Sequence, residues 1–133
     1  MIGAKRELFA QLVAEISVRN LDRSLALYTA LGFSVARRTG GFAVLKWNDA
    51  FVFLDECPNL LETSEAPRAN LRVIVENVDD MWATARKLGL TVDRKIADRS
   101  YGLRDFTVLD YDGFGLRFAT PLEAVTAPEG SQA

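Results

Sequence analysis

The chain contains no histidine. That removes both the side chain that titrates near neutral pH and the commonest imidazole metal ligand, so Ser-His-Asp and Cys-His mechanisms are excluded. Cys57 is the only cysteine. No intrachain disulfide can form, and a lone thiol before Pro58 with no histidine to activate it reads as strand-end filler and not as a nucleophile. What remains for chemistry is carboxylates, guanidiniums and aromatic rings. Such a set can hold and orient a small molecule, or move a proton if one carboxylate is suitably placed.

The chain that must position these groups has 133 residues, 49% of them apolar, which suffices for one compact core and is short for two ordinary domains. Sixteen basic residues against eighteen acidic ones leave a formal charge of −2 without a long run of either sign. Neither a nucleic-acid footprint nor a polybasic membrane patch is present, and the expected partner is a small molecule. Met1 to Gln11 carries Lys5, Arg6 and Glu7 and no apolar signal core. No stretch reaches the roughly 20 apolar residues of a membrane span, so a cytoplasmic location is expected.

The sequence reads twice. Val18-Arg19-Asn20-Leu21-Asp22 is answered 57 positions later by Val75-Glu76-Asn77-Val78-Asp79, and at the same offset Leu31-Gly32-Phe33 meets Leu88-Gly89-Leu90, Val35 meets Val92 and Arg37 meets Arg94. Asn20 and Asn77 are placed to cap helices, Asp22 and Asp79 to sit in their positive first turns, and Gly32 and Gly89 to end them. Leu21, Leu25, Tyr28 and Leu31 share one face of the first helix; Val78, Trp82 and Ala85 share one face of the second. Tyr28 and Trp82 are therefore expected in the core.

Strands are expected at Leu12 to Val18, Ser34 to Arg38, Phe42 to Trp47 and Ala50 to Asp55, with Asn48-Asp49 as a tight turn. The second half offers Asn70 to Glu76, Thr91 to Ala97, Arg104 to Asp110 and Gly115 to Thr120, turning at Tyr111-Asp112-Gly113-Phe114. Each half is thus strand, helix, three strands. The expected fold is α+β, two tandem βαβββ modules forming a curved, cavity-enclosing mixed sheet with helices outside. Residues 1–125 would make a single domain, with module one at about 10–55, a linker at 56–69 and module two at about 70–121. Residues 126–133 read as a disordered tail.

Residues 10 to 121 resemble the vicinal oxygen chelate superfamily of glyoxalases, extradiol dioxygenases and bleomycin-resistance proteins. The resemblance lies in the doubled module, in the run from Glu15 to Tyr28, and in Leu103-Arg104-Asp105-Phe106-Thr107-Val108 leading to Asp110-Tyr111-Asp112-Gly113 and Leu116-Arg117-Phe118. The bleomycin-resistance branch is the most similar. Tyr111 and Phe114-Gly115 depart from that branch's usual proline and Asn-Leu around the turn. Enzymes of the superfamily hold a divalent ion with side chains at four equivalent places, which correspond here to Val13, Asn70, a position near Phe53, and Arg117. Hydrocarbon, an amide, a phenyl ring and a guanidinium make no such cage, so no metal and no cofactor is expected.

If those four positions face inward, strand alternation brings their neighbours two residues away with them. The lining then includes Glu15 and Ser17, Phe51 and Asp55, Arg72 and Ile74. Hairpin pairing adds Phe42 and Val44. The opposite faces, with Ile16, Val18, Leu45, Val52, Leu54, Leu71, Val73, Leu116 and Phe118, are apolar, as faces under helices should be. The expected ligand contacts are Glu15, Phe42, Phe51, Phe53, Asp55, Asn70, Arg72, Tyr101 and Arg117. A second reading stands beside this one, in which Glu15 pairs with Arg72 or Arg117 and the charges satisfy one another. Tyr101, in the loop from Asp98 to Leu103, is either a lid or an inert surface residue.

The resemblance implies a metal-free protein that sequesters an antibiotic or another aromatic natural product, with a homodimer as the family's assembly. The charge of −2 argues for a ligand other than strongly cationic bleomycin itself. The alternative is a metal-independent isomerase, lyase or cyclase with Glu15, buried among phenylalanines, as base and Arg117 or Arg72 stabilising an oxyanion. A third reading is a dimeric scaffold whose cavity has closed.

Overall fold

The computed structural model describes residues 12–61 and 69–125. The expected frayed tail and half of the expected linker, 62–68, lie outside them. The chain divides into two compact units at Glu62/Thr63, one module in each.

Module one runs β1 (Ala14–Val18), α1 (Leu21–Leu31), β2 (Ser34–Thr39), β3 (Phe42–Trp47) and β4 (Ala50–Glu56). Module two repeats the order as β5 (Asn70–Ile74), α2 (Val78–Lys87), β6 (Val92–Asp98), β7 (Leu103–Leu109) and β8 (Gly115–Pro121), followed by a short 3-10 turn at Leu122–Ala124. Each module forms a four-stranded mixed sheet, ordered β1-β4-β3-β2 in the first and β5-β8-β7-β6 in the second. Elements agree with the repeat-based expectation to within two residues. The first strand starts at Ala14 and not Leu12, whose side chain is exposed, and β5 stops at Ile74.

The helices end as their sequences require. The Asn20 and Asn77 side chains accept the backbone N–H groups of Arg23 and Asp80, each leaving one fewer orphan donor in the first turn. A further donor is met from the sheet. The carboxylate of Glu56, at the end of β4, accepts the Leu21 N–H at 2.9 Å, and Thr120, at the matching place in β8, accepts the Val78 N–H at 3.0 Å. Each module's last strand is thereby tied to the start of its helix.

Alternation sorts the sheets into two faces. Ile16, Val18, Leu45 and Leu54 are buried together with Leu21, Leu27, Tyr28 and Leu31 of α1. Val73, Leu116 and Phe118 are buried in module two with Val78 and Ala85 of α2. Tyr28 is fully enclosed, as expected of a core residue, whereas Trp82 is half-buried and meets the buried Phe106 edge to face at 5.0 Å.

In module two the β6–β7 connection is fastened by a carboxylate. Asp105 is fully buried, accepts Arg99 Nε at 2.8 Å and the Tyr101 hydroxyl at 2.7 Å, and lies 3.9 Å from Arg117 Nε. Burial alone would push its pKa up. The hydrogen bonds from Tyr101 and Arg99 and the positive charges of Arg117 and Arg99 outweigh burial and hold the carboxyl below its ordinary range. On the exposed side of the hairpin, Arg104 bonds Asp98 at 2.6 Å and Asp79 of α2 at 2.9 Å, and its hydrogen bond likewise lowers the Asp98 pKa.

Two outcomes follow from this architecture. Gly32 has φ +119, and a Cβ there would meet the Trp47 ring at 3.0 Å, whereas Gly89 has φ +72 and open space around it. In urea unfolding, Gly32→Ala should therefore cost more than Gly89→Ala, the latter losing about 1–2 kcal/mol from backbone strain alone. Equal losses would show that the Trp47 ring gives way without cost. For Asp105, a folded pKa below the unfolded value means that its stabilisation is complete above the unfolded pKa near 4 and is lost as pH falls through the folded pKa. Asp105→Asn should lower stability at neutral pH by about 2–4 kcal/mol and flatten the acid limb of the stability profile. An unchanged acid limb would place the pH dependence elsewhere.

Candidate functional site

Apart from Tyr101 in the β6–β7 connection, the residues singled out from sequence fall on the sheet face opposite the helix in each module, and register fixes who neighbours whom. In module one, Glu15 pairs with Phe53, Phe53 with Val44, and Val44 with Arg37, giving a row across β1, β4, β3 and β2. The next row is Ser17, Asp55, Phe42 and Thr39. Phe51 lies one step the other way, opposite Lys46. The hairpin behind these rows turns at Asn48-Asp49, where Asn48 takes φ +51, a conformation asparagine tolerates. A tight two-residue turn leaves the β3–β4 register no slack, so the three phenylalanines emerge on one side.

Phe42, Phe51 and Phe53 are all half-buried, and the rings of Phe42 and Phe53 meet edge to face with centroids 5.2 Å apart. The Arg37 guanidinium lies 5.9 Å from the Phe42 ring centre. Glu15 is exposed beside Phe53, and Asp55 is half-buried beside Phe42. The burial on which a base role for Glu15 would depend is absent.

In module two the corresponding row is Arg72, Arg117, Thr107 and Arg94, across β5, β8, β7 and β6. Arg117 is half-buried, and its Nε donates to Thr107 Oγ1 at 3.1 Å. Arg72 is exposed, with its guanidinium 6.0 Å from the Tyr101 ring centre. Asn70, exposed, opens β5 opposite Gly115. Tyr101 lies in the β6–β7 connection. Its ring is half exposed, but its hydroxyl is fixed to Asp105, which places the ring beside Arg72.

The carboxylate that faces Arg117 within its own module is Asp105, a residue not singled out from sequence. Asp105 and Thr107 alternate along β7 on the side that meets Arg117, but the Asp110–Phe114 turn is long, so turn length did not fix the register there. That turn is held by Asp110, whose carboxylate accepts the N–H groups of Asp112 and Phe114. Arg37 was missed because β2 carries an irregularity between Val35 and Arg37, which moves the arginine to the phenylalanine side. Its echo with Arg94 was the available signal.

The residues present do not suit a divalent ion. Of the superfamily's metal-holding places, the one near Phe53 sits in the phenylalanine cluster and Arg117 is next to a second arginine. Among the described residues, no three histidine, cysteine, aspartate or glutamate side chains come together as a metal cluster. No helix among the described residues is long and apolar enough to cross a membrane.

Comparison with known proteins agrees with this architecture. The bleomycin resistance protein of Geobacillus stearothermophilus is 27% identical over 118 residues, which cover 77% of this chain and 89% of that protein. The same figures hold for the bleomycin resistance protein of Staphylococcus aureus. Among solved structures, a bleomycin resistance determinant encoded on the transposon Tn5 superposes with a TM-score of 0.68 at 18% identity, over 84% of this chain and 97% of that one. A bleomycin-binding protein complexed with bleomycin gives 0.66 at 18% identity, over 83% and 97%. These structural likenesses establish the shared fold. Residues 10–118 match the Glyoxalase/Bleomycin resistance protein/Dioxygenase superfamily over most of the chain, and the protein belongs to it.

Proposed function

We propose that the protein binds and sequesters a small molecule of the bleomycin type. The observation that carries the proposal is the half-buried cluster of Phe42, Phe51 and Phe53 flanked by the carboxylates of Glu15 and Asp55. Flat apolar area beside acceptor-only groups suits a ligand that is aromatic in one part and cationic in another. The net charge of −2 is a poor guide to this preference, since a ligand meets the local pair of carboxylates and not the chain's total. The curated relatives named as bleomycin resistance proteins support the same reading. In module two, taken by itself, Asn70, Arg72, Tyr101 and Arg117 are also proposed as ligand contacts. The reading includes a cytoplasmic homodimer, which sedimentation velocity would detect as a species of twice the chain mass.

The test is thermal unfolding and calorimetric titration of the full chain with metal-free bleomycin in EDTA, alongside other cationic and neutral aromatic natural products. Ligand at a hundred times its dissociation constant adds about 2.7 kcal/mol to stability, enough to raise the melting temperature by several degrees. Phe53→Ala should weaken binding roughly ten- to thirty-fold, about 1.5–2 kcal/mol. Glu15→Gln should weaken a cationic ligand by about two- to five-fold, as expected of an exposed charge. Saturable binding that depends on Phe53 and leaves the ligand chemically unchanged supports sequestration. No binding by any of these compounds overturns it, and a turnover product that Glu15→Gln abolishes would reinstate a catalytic role.

A further inference from the structure

The two modules repeat one backbone but differ in charge at equivalent places, most sharply where Glu15 is matched by Arg72. The module-one row, Glu15-Phe53-Val44-Arg37, becomes Arg72-Arg117-Thr107-Arg94 in module two. The carboxylate of the first strand is replaced by a guanidinium, and the phenyl ring of the last strand by another. Arg72 and Arg117 are direct register partners on neighbouring parallel strands, which run about 4.8 Å apart. Two like charges so placed oppose each other unless something negative lies between or above them.

Among the described residues, the carboxylate that approaches Arg117 is Asp105, but Arg99 Nε and the Tyr101 hydroxyl already occupy it at 2.8 and 2.7 Å, while Arg117 Nε stands off at 3.9 Å and bonds Thr107 instead. Among the described residues, Arg117 bonds through its Nε, and Arg72 lies beside the Tyr101 ring. Asp105 thus serves as a positioning residue. By holding the Tyr101 hydroxyl it sets that ring beside the Arg72 guanidinium, which restricts the arginine without neutralising it. Arginine's planar fork of N–H donors matches an oxyanion in two-point fashion.

We propose that Arg72 and Arg117 form an oxyanion-binding subsite for a small molecule that carries a carboxylate, phosphate or sulfate group. The inference deepens the small-molecule reading and rests on it for the class of ligand, but its geometry belongs to module two alone. The natural ligand would then be anionic at one end, a feature that separates it from a purely cationic drug.

The experiment titrates the isotope-labelled full chain with inorganic phosphate in one arm and benzoate in another, each against chloride at matched ionic strength. The arginine Nε–Hε and backbone amide NMR signals report on binding. Saturable shifts centred on Arg72 and Arg117, weakened about tenfold or more by Arg72→Gln and by Arg117→Gln, support the subsite. The arm that binds more tightly identifies a tetrahedral or a carboxylate oxyanion. Arg117→Gln disturbs the surroundings of Asp105 and could fail to fold. Arg72→Gln alters an exposed side chain and keeps the test decisive. Shifts no larger than those from chloride, or shifts unchanged in Arg72→Gln, overturn the proposal. Because the probes carry no aromatic natural product beyond a single ring, failure here leaves bleomycin binding standing, and failure of bleomycin binding leaves this result standing.

Discussion

In each module the first strand lies parallel to the last, and everything functional depends on the register of that pair. Glu15 stands opposite Phe53, and Arg72 opposite Arg117. Side chains alternate along a strand, so a slip of one residue in β1 against β4 would carry Glu15 under the helix and bring Ile16 to the open face. The cost of burying a carboxylate and exposing the hydrocarbon of Ile16 and Val18 forbids the slip. The helix crossover enforces the same register from the other side. The Leu21 N–H reaches Glu56 and the Val78 N–H reaches Thr120, so the start of each helix is held to one place on the last strand.

Because the backbone constraint is shared by both modules, the residues on the open face are free to diverge. Buried positions keep one chemistry: Ile16 and Val73, Leu54 and Phe118, Leu45 and Val108 are all apolar and all buried. On the open face, a phenylalanine cluster with two acids occupies one module and a row of arginines the other. The helix side must exclude water and fill volume, which favours hydrocarbon of suitable size and admits a polar group such as Thr120 where its hydrogen bonds are met. On the opposite face that demand acts at fewer positions, Val44, Asp105 and Thr107 being buried while Glu15, Arg72 and the phenylalanines are half-buried or exposed.

The division also explains what could be read from the sequence. The cap asparagines, the terminal glycines and the alternation of apolar residues are local signals, and they located both α-helices and all eight strands of the described residues. The β3–β4 register was legible because a two-residue turn admits one pairing, and from it came Phe42 beside Phe53. The β7–β8 register was not, since the Asp110–Phe114 turn is stabilised by its own carboxylate and its length does not dictate the pairing. Asp105 was lost with it. Arg37 was hidden by a strand irregularity, which reverses the alternation that otherwise assigns a face. Glu15 was placed on the correct face but not at the correct depth, because alternation gives direction and is silent about exposure.

Asp105 shows how a buried charge can serve a surface. A carboxylate with no access to water survives in module two only because Arg99 and Tyr101 donate to it and Arg117 adds its charge nearby. Those donors come from the β6–β7 connection, a segment that would otherwise gain little from packing, and the bonds fix it against the sheet. The ordered loop then supplies the Tyr101 ring to Arg72, on the open face. A hydrophobic residue at position 105 could fill the same volume, but it would release both Arg99 and Tyr101. The carboxylate is therefore best understood as the link between the core of module two and the arrangement of its arginines.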